Sequence, residues 1–139
     1  MPAEGSAYQY DTVKDELLSV ADTALKYGRS LDADAEIEVF LYFSKEMSAE
    51  IEQGVVTAKD GAVAGAAARV ALGKRIGFAS ASGVEPDRVK FCVREALEVA
   101  RSVRVEDPKF EGFCDPAGTA REGAFEQKIL ELGTDDLIS

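Results

Sequence analysis

GAVAGAAARVALGKRIGFASASG, residues 61–83, is the stretch on which the fold turns. It holds five glycines and eight alanines. Val63, Val70, Leu72, Ile76 and Phe78 are nevertheless spaced along it as in two strands, with Gly73 and Lys74 where a hairpin reverses. Alanine and glycine are poor strand formers by propensity. Strands built from them point to something packed closely on their face, commonly a helix or another backbone. The chain supplies one amphipathic segment before this hairpin and one after it, and the closest helix contact is expected over Val63 to Leu72.

Upstream, Val13, Leu17, Val20, Ala21 and Ala24 recur at the helical period. They predict a helix over 12–28, opened by Thr12 with Asp15 as a capping box and stopped by Gly28 in the left-handed conformation. After the connection RSLDAD (29–34), residues 35–43 alternate: Ile37, Val39, Leu41 and Phe43 face one way, Glu36, Glu38, Phe40 and Tyr42 the other. The second face, half acidic and half aromatic, is expected to be solvated at one end and covered at the other. SKE (44–46) reads as a turn. Met47, Ala49 and Ile51 mark a second strand that Gly54 interrupts or bulges, with Val55 to Lys59 as its continuation beyond a bulge. Asp60-Gly61 reads as a type I′ hairpin. The quoted stretch then provides strands three and four. Pro86 suits the first position of a closing helix, whose stripe is Val89, Cys92, Val93, Ala96, Leu97, Ala100 and Val103.

The expected architecture is α+β and two-layered: an antiparallel four-stranded meander with two helices, in the order α-β-β-β-β-α. It occupies 12–106, behind a flexible leader of 1–11. From Asp107 the chain becomes an irregular arm (107–139) whose Phe110 and Phe113 are placed to dock on the domain. A short helical pattern runs over 124–133 through Phe125, Ile129 and Leu132. Thr134-Asp135-Asp136 then looks like a helix start. A chain ending there reads as cut, at the beginning of a connection to a C-terminal domain.

A net charge of −10 disfavours direct binding to nucleic acid or anionic membrane. No apolar run approaches the ~20 residues that span a bilayer. Cys92 and Cys114 without an export signal read as reduced thiols of a cytoplasmic protein. Histidine is absent, which removes the usual neutral-pH base, the commonest zinc ligand and any Ser/His or Cys/His pair. Asp32, Asp34, Glu36 and Glu38 lack the converging loop that a hard cation needs. Gly65, Gly73 and Gly77 lack the context of a phosphate loop. No catalytic, cofactor-binding or metal-binding residue is therefore assigned. Arg69, amid small residues on a strand, needs a carboxylate, carbonyls or solvent at its end. An internal salt bridge is one reading; contact with a partner domain or a peptide carboxylate is the other. A free-standing module that adds a peptide strand to an exposed sheet edge, either the Glu-rich first strand or the bulged second, is a separate functional possibility.

Gly65 to Val70 (GAAARV), Gly73, and Ile76-Gly77-Phe78-Ala79 together resemble the N-terminal domain of the TldD/PmbA family. Glu52-Gln53-Gly54-Val55, the leading helix ending in Gly28, the helix after Pro86 and the Asp107-Pro108 arm are similar too. One departure is Ala67, where the family often has a second glycine. The family was first labelled modulator of DNA gyrase and is regarded as one of zinc-dependent peptidases acting on unfolded or small peptides. The resemblance implies a non-catalytic domain that walls the substrate cleft. It also implies a homodimer or a heterodimer with a paralogous subunit, and zinc held only in a C-terminal domain of the parent or its partner. Arg69, Gly65, Gly77 and Phe78 are the candidate interface or cleft residues.

Overall fold

A computed structural model describes residues 10–118 and 126–139. Two helices and three strands form its main body: α1 (Tyr10–Leu31), β1 (Glu36–Glu52), β2 (Val55–Leu72), β3 (Arg75–Ser82) and α2 (Pro86–Ser102). The short helices α3 (Gln127–Glu131) and α4 (Thr134–Ile138) follow. The sheet is antiparallel in the order β1-β2-β3.

The α+β class and the antiparallel meander hold, but the sheet has three strands, not four. Two expected turns are absent, and they are absent together. Lys45 of SKE pairs with Ala62, Glu46 with Gly61 and Met47 with Asp60, so each would-be turn is held extended by the other. The reversal occurs instead at the expected bulge. Gln53 (φ 50°) and Gly54 (φ 80°) both take positive φ, as a two-residue type I′ turn requires, and the flanking Glu52 and Val55 pair directly. The second hairpin reverses at Gly73 (φ 62°) and Lys74, as expected, closed by Leu72 and Arg75.

β3 pairs only with Gly65 to Leu72. The remainder of β1 and β2 therefore projects as a two-stranded ribbon, and α4 lies against both of its strands.

The helices cover the face carrying Ile37, Val39 and Leu41 on β1, Ala66, Ala68 and Val70 on β2, and Ala79 and Ala81 on β3. Against them α2 buries Val89, Cys92, Val93, Ala96, Leu97 and Ala100, and α1 contributes Ala24 and Val20. This is the expected stripe except for Val103, which caps α2 and is only half-buried, and small residues do set the spacing. The tightest approach, however, is on β3 rather than within 63–72. A Cβ on Gly77 would strike the carbonyl oxygen of Ala96 and stand 2.5 Å from the Ala100 nitrogen.

Gly28 is a second correction. α1 continues past it to Leu31, and an added Cβ would meet the side chains of Ile37 and Val93. Its role is close packing, not a left-handed stop. Thr12 likewise lies inside α1, which is already helical at Tyr10, so it is not the cap. The rest of the leader and Phe125 lie outside the described residues. α4 starts at Thr134 as expected; its capping position is Gly133, whose N–H donates to Asp136 Oδ2 at 2.7 Å.

Candidate functional site

With one sheet face consumed by helices, the opposite face is the surface left for function. Register places three rows across it: Glu38, Arg69 and Phe78; Phe40, Ala67 and Ser80; Tyr42, Gly65 and Ser82.

Arg69 lies at the centre of the first row. Its Nε and Nη2 both reach Glu38 Oε1, at 2.8 and 2.7 Å. Its guanidinium also stands 4.9 Å from the centroid of the Phe113 ring. Of the two readings of Arg69, the internal salt bridge is thus realised, and the arm adds an aromatic lid.

The arm itself is fastened by polar contacts. Asp107 N–H donates to the Lys74 carbonyl at 2.9 Å, and Lys74 Nζ donates to the carbonyls of Pro108 and Phe110. Phe113 N–H donates to Glu36 Oε2 at 3.0 Å. Phe110 meets Phe113 edge-to-face at 5.4 Å. Phe113 docks on the domain as expected, with Phe110 packed against its ring. Ala71, the partner of Glu36 on this same outer face, is buried.

The acidic end of β1 is therefore the covered end, and the aromatic end is open. Phe40 is 63% exposed and Phe78 58%, values that single out a surface large apolar side chains rarely occupy without a role. Glu38, Phe40, Ala67, Arg69 and Phe78 line a shallow depression of about 330 Å³. Ala67 keeps its floor low between Phe40 and Phe78, and the next row of the same face holds Tyr42 and Gly65.

Of the four candidate residues, Arg69 and Phe78 are directly opposed and Gly65 lies on the same face. Gly77 is buried under α2 on the other side. Phe40 and Tyr42 belong to the site and were absent from the candidates. Their shared parity with Glu38 was the available signal.

Among the described residues, no three Cys, Asp or Glu side chains stand together as a metal site would require. Cys92 is enclosed in the core, where burial pushes its thiol up, and Cys114 is exposed on the arm. No described helix is long and apolar enough to cross a membrane.

Three comparisons bear on this geometry. Residues 37–100 match the family described as PmbA/TldA metallopeptidase domain 1. No curated protein matches the chain. Among solved structures, the chain is similar to TldE from Thermococcus kodakarensis, with a TM-score of 0.74 at 22% identity over 86% of this chain. It spans about a quarter of that protein, 26% of its length. The family match covers the β1–β3 meander and most of α2, the elements that set both faces of the sheet, and together with the shared fold it supports the resemblance to an N-terminal domain of the TldD/PmbA family.

Proposed function

We propose that this domain is the non-catalytic, substrate-walling part of a TldD/PmbA-type metallopeptidase subunit that acts on unfolded or small peptides. The observation that carries the reading is the asymmetry of the three-stranded part of the sheet. There one face is covered by helices, while the other presents Phe40, Tyr42 and Phe78 beside an Arg69 already neutralised by Glu38. Such a surface offers apolar contact to an extended chain without demanding a particular charge.

In this reading zinc is held outside these residues, in a C-terminal domain of the parent or in a paralogous partner subunit. The assembly is a homodimer or heterodimer working in the cytoplasm. At −10, the chain is a poor direct ligand for DNA, so an influence on gyrase would run through peptide processing.

The test compares the intact parent assembly with its Phe40→Ser/Phe78→Ser variant in a peptide-cleavage assay. The expected result is a KM raised by about threefold or more with kcat retained, because the lost contacts are binding contacts. The purified 139-residue chain should cleave no peptide with or without added zinc. Zinc-dependent cleavage by the chain alone, or an unchanged KM in the variant, overturns the proposal.

A further inference from the structure

Among the described residues, the ribbon that projects beyond β3 leaves the outer side of β2, like that of β1, without a neighbouring strand. Two-residue hairpins close on mutually hydrogen-bonded pairs, here Glu52 with Val55 and Leu72 with Arg75. Odd-numbered residues of β2 therefore bond to β1, and even-numbered ones point the other way. The Gly83 N–H to Ala64 carbonyl bond, 2.8 Å, is the last on that side. β3 ends at Ser82, and Gly83 (φ 94°) turns the chain toward α2. Below this stop, the N–H and C=O groups of Val56, Ala58, Asp60 and Ala62 line an open edge. No described residue bonds to them.

A row of alternating backbone donors and acceptors has one complementary surface, another extended backbone. Strand edges are normally guarded by charge, proline or bulges. β1 follows that rule: Glu36, Glu38, Lys45, Glu46, Glu50 and Glu52 all lie on it. Residues 55–63, VVTAKDGAV, carry no proline, run in unbroken register with β1, and hold only Lys59 and Asp60 as charges.

We propose that this edge is a strand-acceptor slot, taking an extended peptide antiparallel to β2 and in line with β3. The slot is about 27 Å long at strand rise, room for roughly eight residues. A basic residue in the ligand suits it, since the ribbon has two lysines against four acids within a chain of net charge −10. A second copy fits poorly. Symmetric antiparallel pairing sets one residue opposite itself, and a centred overlap would place Lys59 or Asp60 against its own like charge. The slot does not depend on the peptidase reading, because it involves neither zinc nor cleavage.

The experiment uses the full chain and a synthetic peptide of about eight residues, alternating threonine and valine around one central arginine, with amide hydrogen exchange as the readout. On saturation with peptide, the amides of Val56, Ala58, Asp60 and Ala62 should slow by at least about tenfold, since they move from open to bonded. Val55, Thr57 and Lys59, already bonded to β1, should change little. The same peptide N-methylated at alternate residues should give no protection, and this arm needs no folded variant. Ala58→Pro removes a donor only from the open edge and should abolish binding while leaving the β1–β2 amides protected. The proposal is overturned by unprotected even-numbered amides at saturation, by undiminished binding of the methylated peptide, or by protection that follows protein concentration without peptide.

Discussion

Gly77 sits directly beneath Ala96, so close that a single methyl group at position 77 would overlap the Ala96 carbonyl oxygen. Backbone is what it would meet, and backbone cannot swing aside. Gly77→Ala is therefore expected to lose about 2–3 kcal/mol, in the range of core overpacking. Gly65→Ala on the opposite face is the control. Its nearest neighbour, the Ala81 carbonyl oxygen, would be 3.8 Å away. It should be neutral or stabilising by up to about 1 kcal/mol. Urea unfolding of both variants separates the two environments.

The Gln53-Gly54 turn offers a purely conformational case. A Cβ on Gly54 meets nothing within 4 Å, yet its φ of 80° is one that L-residues avoid. Gly54→Ala should cost about 1 kcal/mol and loosen the ribbon first, visible as faster exchange at Val55 and Thr57. Gln53→Asn should act in the opposite direction by several tenths of a kcal/mol, because asparagine tolerates positive φ better.

This turn also explains why the sheet has three strands where local turn preference predicts four. Asp60-Gly61 is a better turn dipeptide than Gln53-Gly54 by local preference, and SKE interrupts an apolar run. Phase is the signal that decides it: Phe43, Met47 and Ile51 keep one parity with Ile37, so the register of the alternation is the same on both sides of 44–46, although Lys45 takes an apolar-parity position. Once that segment is extended, its partner at Gly61 to Val63 is extended too. The helices, the Gly73 reversal and the buried stripe were legible because each rests on local periodicity. The role of Gly28 was not, since only tertiary packing of Ile37 and Val93 distinguishes a contact glycine from a terminal one. The outer site was half legible. The alternation put Phe40 and Tyr42 beside Glu38, but that the arm would cover the acidic end depends on Lys74 holding the carbonyls of Pro108 and Phe110.

Cys92 links the core to pH. Its thiol is held above the ordinary value of 9.0, first by desolvation, with a backbone hydrogen bond working the other way. The folded state thus keeps a proton that the unfolded state releases more readily. Its contribution is fully present below about pH 9 and declines as pH rises through the raised folded value. Stability measured from pH 7 to 10.5 should fall more in the wild type than in Cys92→Ala, after allowance for the variant's lower starting point. In the native protein a thiol reagent should modify Cys114 rapidly and Cys92 only at the rate of opening. Equal rates at the two sites would refute the buried placement.

Arg69 separates a structural contact from a stabilising one. Both of its short contacts go to one oxygen of Glu38, and the two side chains remain 49% and 43% exposed. Pairs so exposed are worth about 0–1 kcal/mol after screening, and the Phe113 ring adds a cation–π contact of similar size. Arg69→Ala should therefore lower global stability by no more than about 1–2 kcal/mol. Its larger effect is on the arm, because the guanidinium faces the ring that Glu36 anchors through the Phe113 N–H. Exchange at Phe113 and ring-current shifts of Phe110 and Phe113 should move toward free-peptide values, while Asp107, bonded to the Lys74 carbonyl, stays protected. Arg69→Lys keeps the charge but not the planar stacking surface, so it should release the arm almost as fully as alanine does. An arm that stays docked in both variants would show that Lys74 and Glu36 hold it without Arg69.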